Sequence, residues 1–99
     1  MLTINKRIED NKAVFALEGR LDTVTAPELE SAISADLAGL TELKLDFEKL
    51  EYVSSAGLRV LLSTQKAFGG KGKFTLCNVN ETIMEVFEVT GFSDILSIE

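Results

Sequence analysis

Two adjacent serines, Ser54 and Ser55, are the residues of this chain best suited to chemistry. They stand between an apolar segment with the pattern of a strand and the apolar residues Leu58, Leu61 and Leu62, whose spacing predicts a helix. Both hydroxyls would therefore lie at the positive end of a helix, where free backbone N–H groups and the helix dipole favour an anion. This placement is typical of a site that accepts a phosphoryl group.

A structural role also accounts for one of the two serines, because a helix that follows a strand needs an N-cap and serine fills that position well. Ala56 and Gly57 follow and leave the hydroxyls unshielded, so that the backbone of another protein can come close. Glycine lowers helix propensity by up to about 1 kcal/mol relative to alanine. Gly57 therefore needs a reason of its own, either that close approach or tight packing within the domain. Arg59, one turn after Ser55, is spaced to reach a phosphoryl group there, or is simply exposed.

Other kinds of chemistry find little support in the residue types. The chain has no histidine, so a serine nucleophile would lack its usual base. The acidic residues are scattered and not clustered as metal ligands are. The glycine-rich stretch 69–73 has the composition of a phosphate loop, but its glycine spacing does not fit and it leads from a helix into a strand. The sequence predicts no enzyme, no metal site and no cofactor site.

Composition and charge narrow the class of protein further. Ninety-nine residues, 45% of them hydrophobic, predict one globular domain over residues 1–99. A net charge of −6 without a basic cluster argues against nucleic-acid binding. The single cysteine, Cys77, lies in an apolar segment and is expected to be a packed core thiol. No stretch has membrane-spanning length and no leader pattern is present, so we expect a cytoplasmic protein without direct membrane insertion.

The elements that must position the serines alternate along the chain. Strands are predicted over 2–8, 13–21, 42–47, 73–79 and 95–98, and helices over 25–39, 55–67 and 80–90. Thr25 and Glu28 fit a capping box at the start of the first helix. The order ββαβαβαβ predicts an α/β fold with a mostly parallel sheet and an antiparallel hairpin at its N-terminal edge.

Three motifs stand in sequence along this framework. They are Gly-Arg-Leu-Asp at 19–22, the stretch 45–58 with Leu-Asp-Phe at its start and Tyr-Val-Ser-Ser-Ala-Gly-Leu at its end, and the tail 80–98 with Val-Phe at 86–87 and Thr-Gly-Phe at 90–92. Together they resemble the STAS domain family, and more narrowly the bacterial anti-sigma factor antagonists. The resemblance covers nearly the whole chain and implies a single STAS-type domain.

In that family the turn usually reads Asp-Ser-Ser-Gly or Asp-Ser-Thr-Gly, and a partner kinase phosphorylates the first hydroxyl residue after the aspartate. Alignment on Gly57 puts this phosphoacceptor at Ser55, with Ser54 as the second choice. Ser54 stands where the family usually has the aspartate, and Ala56 replaces the second hydroxyl residue. Asp22 matches the acidic residue that the family carries beside its switch. The expected partner-binding surface comprises Asp22, Ser54, Ser55, Ala56, Gly57 and Arg59.

The function that the resemblance implies is a phosphorylation-controlled partner switch. The unphosphorylated chain would bind an anti-sigma factor with ATP-binding serine kinase activity and so free a sigma factor. The kinase would then modify Ser55, and a serine phosphatase would reverse the modification. Two alternatives stay open at this point. One is a constitutive STAS subunit of a larger transporter or lipid-trafficking complex, and the other is a small-ligand or nucleotide sensor that binds an anion at the helix N-terminus.

Overall fold

A mixed four-stranded sheet carries the fold in the computed structural model, which describes residues 1–99. The strands are β1 (Leu2–Glu9), β2 (Lys12–Leu21), β3 (Glu42–Val53) and β4 (Lys73–Cys77), and the helices are α1 (Ala26–Asp36), α2 (Ser55–Phe68) and α3 (Glu81–Thr90). The strand order is β1-β2-β3-β4, with β1 antiparallel to β2 and the other pairs parallel. The predicted α/β fold with an antiparallel edge hairpin is confirmed.

The core lies between the sheet and the helices. Alternation along β2 and β3 turns one set of side chains inward, and Phe15, Leu45 and Phe47 are fully buried. Phe47 meets Phe87 of α3 with ring centroids 6.3 Å apart, which ties the last helix to the sheet. Burial of one such side chain stabilises the fold by about 1.5–3 kcal/mol. The loops at the ends of β2 and β3 are thus connected to strands that pack tightly on the core.

Strand β3 runs on to Val53, past the predicted end at Phe47. Its register with β2 shifts twice, and at each shift β3 contains one extra residue, which is a β-bulge. The buried positions of β3 are Leu43, Leu45, Phe47, Leu50 and Val53. Strict alternation therefore stops at the first bulge, and this is why the sequence pattern ended the strand too early.

The predicted last strand, 95–98, is wrong as a full strand. A single 3-10 turn at Phe92–Asp94 follows α3, and the chain then makes one parallel bridge, between Leu76 and Ile98. Two backbone hydrogen bonds flank this bridge, at 2.9 Å from Leu76 N–H to the carbonyl of residue 97 and at 2.8 Å from residue 99 N–H to the carbonyl of Leu76. The turn uses up the first part of the segment, since the N–H of Leu96 still bonds back to the carbonyl of Phe92.

The expected burial of Cys77 in the core is also wrong. Phe74 and Leu76 of β4 face the core, so alternation turns Cys77 to the open face of the sheet, where it is half-buried opposite Asp46. Partial burial raises the pKa of this thiol, with a further contribution from the nearby Asp46 carboxylate. The thiol is therefore protonated and poorly nucleophilic at neutral pH. None of the helices has the length and apolarity that crossing a bilayer requires.

Candidate functional site

Two turns meet at the carboxyl edge of the parallel strands. Asp22 follows β2 and Ser54 follows β3, and the N–H of Ser54 donates a 2.8 Å hydrogen bond to the carbonyl of Leu21. Helix α1 begins at Ala26 and α2 at Ser55, so both helices present their N-termini at this edge. The structure thus brings Asp22 together with the two serines, because the ends of adjacent parallel strands lie side by side.

The two serines have different environments. Ser54 is the N-cap of α2, half-buried, and its Oγ accepts a hydrogen bond from the N–H of Gly57 at 3.4 Å. That distance lies just beyond the usual range of about 2.7–3.2 Å, so the cap is a weak one. Ser55 is the first residue of the helix and is exposed. The capping role therefore belongs to Ser54 and leaves the hydroxyl of Ser55 accessible.

Gly57 is buried because α2 starts directly on top of the strand ends. A Cβ atom at this position would lie 2.7 Å from Cγ of Leu21 and 3.1 Å from Cγ1 of Val53. Of the two reasons considered for this glycine, tight packing within the domain is the one observed. The close approach fixes the first turn of α2, and with it Ser54 and the half-buried Ala56, against the sheet.

The carboxylate of Asp22 organises the turn that leads into α1. Its Oδ1 accepts hydrogen bonds at 3.0 Å from the N–H groups of Val24 and Thr25. The bond from the N–H of Thr25 lowers the pKa of this carboxyl, and further bonds from the Thr25 hydroxyl and the Val24 N–H act in the same direction, against a smaller effect of desolvation. Asp22 is therefore ionised at neutral pH. One oxygen is committed to the turn, while Oδ2 is free of these bonds.

The predicted capping box between Thr25 and Glu28 is wrong. The Thr25 side chain is buried and makes no cap hydrogen bond. Its Oγ1 instead donates to the carbonyl of Arg20 and accepts from the N–H of Asp22, both at 2.8 Å. The hydroxyl thus ties the end of β2 to the turn, and α1 begins without a side-chain cap.

Arg20 and Tyr52 lie beside the candidate site, and the sequence motifs that contain them did not assign them to it. They are paired in the register of β2 and β3, and Cζ of Arg20 lies 4.4 Å from the centroid of the Tyr52 ring. Nε of Arg20 also lies 3.9 Å from Oδ2 of Asp22. Val24, in the same turn, has 77% of its surface exposed. The available signal was that Arg20 and Tyr52 each precede a buried residue at a strand end, but only the register places them side by side.

Arg59 is exposed on α2, one turn beyond Ser55, and takes part in none of the four ion pairs of the structure. Residues four apart on a helix lie on the same side, so the positions of Arg59 and Ser55 are neighbours on the surface. No group of three or more His, Cys, Asp and Glu side chains is placed to hold a metal ion. Surface clefts between α1 and α2, and on the open face of the sheet, lie away from Ser55.

Comparisons with known proteins add the family context. The family model of the STAS domain matches residues 3–99. The chain is similar to BtrV of Bordetella bronchiseptica, whose name assigns it provisionally to the anti-sigma factor antagonists. The identity is 34% over 91 residues, which cover 90% of this chain and 78% of that protein.

Two solved structures are similar over nearly the whole chain. The crystal structure of an anti-sigma factor antagonist from Mycobacterium paratuberculosis gives a TM-score of 0.89 at 27% identity, covering 99% of this chain and 85% of that one. The Bacillus cell fate determinant SpoIIAA, solved in its phosphorylated form, gives a TM-score of 0.77 at 21% identity, covering 98% and 91%. At the latter identity, the likeness concerns the fold alone.

Proposed function

The chain belongs to the STAS domain family, and from that premise we propose that it is an anti-sigma factor antagonist whose binding is switched by phosphorylation of Ser55. The names of its relatives describe regulation by protein binding, and we propose no reaction catalysed by the chain itself. The observation that supports the proposal best is the exposed hydroxyl of Ser55 at the N-terminus of α2, beside a separate residue that caps the helix.

Ser55 is the better phosphoacceptor of the two serines. The hydroxyl of Ser54 is half-buried and bonded to the N–H of Gly57, so a kinase would have to break the cap to reach it. Ser54 also stands where the family usually has aspartate. Serine and aspartate are both strong N-cap residues, so the substitution keeps the capping task while changing the charge.

A phosphoryl group on Ser55 is compatible with this domain. Phosphorylation adds a charge of about −1.5 to −2 at neutral pH. The helix dipole and the first N–H groups of α2 favour that charge, and Arg59 lies on the same side of the helix. We therefore expect the fold to be unchanged by the modification.

The same group is incompatible with a close interface. Ser54, Ser55 and Ala56 present a small, neutral surface against which a partner can pack. An unpaired double charge buried there would be strongly unfavourable, and the ionised Asp22 in the neighbouring turn adds repulsion. Release of the partner thus follows from a change of surface charge without a change of shape.

The partner that we propose is an anti-sigma factor with ATP-binding serine kinase activity, opposed by a serine phosphatase. The test begins with tagged protein purified from its host, growing and stressed, and analysed by mass spectrometry for partners and for phosphate on Ser55. The co-purified partner is then titrated against the variants. We expect Ser55→Ala to bind like the wild type and Ser55→Asp to bind at least about tenfold more weakly, which is about 1.4 kcal/mol.

Ser63→Asp is the matched control, because it makes the same change at an exposed position further along α2. It should leave binding unchanged. Equal binding by Ser55→Ala and Ser55→Asp would contradict the proposal, as would phosphate found only on Ser54.

The same experiment distinguishes the proposed switch from the alternative of a constitutive STAS subunit, which is suggested by Ser54 in place of the usual aspartate. In that case the chain would carry no phosphoserine and would stay in one stable multi-subunit complex under both conditions.

A further inference from the structure

We infer that Arg20, stacked on Tyr52, determines partner specificity and selects a partner that places a carboxylate opposite it; this inference rests on the function proposed above. The two residues lie on adjacent strands, at the end that leads into the Asp22 turn and the start of α2. Both belong to motifs of the sequence, but neither was expected to contact a partner.

The guanidinium of Arg20 is held in place before any partner arrives. Its Cζ lies 4.4 Å from the centroid of the Tyr52 ring, and its Nε lies 3.9 Å from Oδ2 of Asp22. Stacking and the ionic contact fix the plane of the group while its side chain is still 53% exposed. A preorganised arginine loses less conformational entropy on binding, and arginine and tyrosine are enriched among the residues that dominate interface energies.

The pair lies within reach of any partner that covers Ser55. Tyr52 is three residues before Ser55, which limits the separation of their Cα atoms to about 11 Å. A standard interface covers about 800 Å² on each partner, equivalent to a disc with a radius of about 16 Å. Tyr52 therefore lies inside that radius, and Arg20, its partner on the neighbouring strand about 5 Å away, lies within about 16 Å of Ser55 and so at the rim at the farthest. Val24 offers the partner an exposed apolar contact in the adjoining turn.

The charge of the site indicates what the partner must present. The chain has 16 acidic and 10 basic residues, so a cation at this surface stands out against the net charge of −6. Asp22 engages Arg20 only at Nε and only at 3.9 Å, which leaves the terminal nitrogens as donors. The guanidinium fork matches a carboxylate with two parallel hydrogen bonds. An acidic side chain of the anti-sigma factor partner is thus the complement that fits.

The experiment uses the wild-type chain, its variants and the purified partner from the titration described above. Arg20→Glu should weaken binding at least tenfold. Arg7→Glu, which makes the same charge change at an exposed position of β1, should alter the dissociation constant less than about twofold. Tyr52→Leu, which removes the stacking but keeps the charge, should weaken binding by a smaller factor than Arg20→Glu. Changing the partner's facing acidic residue to lysine should restore binding to Arg20→Glu.

Thermal unfolding of each variant separates binding from folding. Should Arg20→Glu fail to fold, Arg20→Gln removes the charge at similar length and should still weaken binding several-fold. The inference is overturned if the folded Arg20 variant binds like the wild type, or if Arg7→Glu weakens binding as much as Arg20→Glu does. Failure of the proposed function looks different, because the wild type would then capture no kinase or Ser55→Asp would bind like Ser55→Ala.

Discussion

Alanine substitution at Ser54 and at Ser55 should have different effects on stability. Oγ of Ser54 accepts a hydrogen bond from the N–H of Gly57. Loss of such an N-cap acceptor lowers the unfolding free energy by about 0.5–2 kcal/mol. Because this bond is long, at 3.4 Å, we expect the lower part of that range, about 0.5–1 kcal/mol. Ser55 is exposed at the first helical position, where alanine is the better helix former, so Ser55→Ala should change the unfolding free energy by less than about 0.5 kcal/mol.

Thermal unfolding followed by circular dichroism resolves this difference. For a domain of this size, 1 kcal/mol shifts Tm by about 4–8 °C, so Ser54→Ala should lower Tm by about 2–8 °C. Ser54→Asp serves as the matched control, since it keeps an acceptor and adds a negative charge at the helix N-terminus. Its Tm should equal or exceed that of the wild type. Urea titration should rank the variants in the same order with an unchanged slope.

Two results would refute this reasoning. If Ser55→Ala were as destabilising as Ser54→Ala, the hydroxyl of Ser55 would also be holding the helix, and its availability to a kinase would lose its structural basis. If Ser54→Ala were neutral, the 3.4 Å contact would contribute nothing to the cap.

Two further predictions concern the support of the site. Gly57→Ala should destabilise the domain in urea titration, because overpacking against Leu21 costs about 1–3 kcal/mol and the better helix propensity of alanine returns at most about 1 kcal/mol. Gly39→Ala is the control, since its Cβ would meet nothing within 4 Å. Equal stability of the two variants would mean that α2 can move away from the sheet. The lowered pKa of Asp22 stabilises the fold above the ordinary carboxyl value of about 4, and that contribution is lost as the pH falls through the lower folded-state value. Asp22→Asn keeps an acceptor oxygen without the titration, so the stability of the wild type relative to Asp22→Asn should fall between pH 7 and pH 3, and a constant difference would contradict this role.

The sequence predicted the placement of Asp22, Ser54 and Ser55 in the fold well because the signals for it are local. A strand, two serines and an apolar helix repeat follow one another directly, and parallel strands must bring Asp22 and Ser54 to the same edge. The sequence could not show which serine caps α2 and which is exposed, because this depends on which hydroxyl points at the N–H of Gly57. The capping box at Thr25 was predicted wrongly because its hydroxyl bonds inward to the carbonyl of Arg20, at the end of β2.

The contact between Arg20 and Tyr52 could not be predicted from one sequence, because it depends on register. The apolar spacing of β3 departs from strict alternation after Phe47, and its two bulges decide which residues of β2 and β3 face each other. The chain end was missed for a related reason. A residual helical turn at Phe92–Asp94 leaves only one bridge to β4 where the alternation of apolar residues indicated a strand.

The two bulges of β3 also mean that the direction of this surface survives the loss of a residue there. Each bulge holds one residue of β3 that has no partner of its own on β2. Deletion of Glu48 or Lys49 would remove the first bulge, so Tyr52 would stay outward and opposite Arg20, and Val53 would stay inward. The segment between Phe47 and Val53 can thus vary in length by one residue without turning the binding surface to the other face of the sheet.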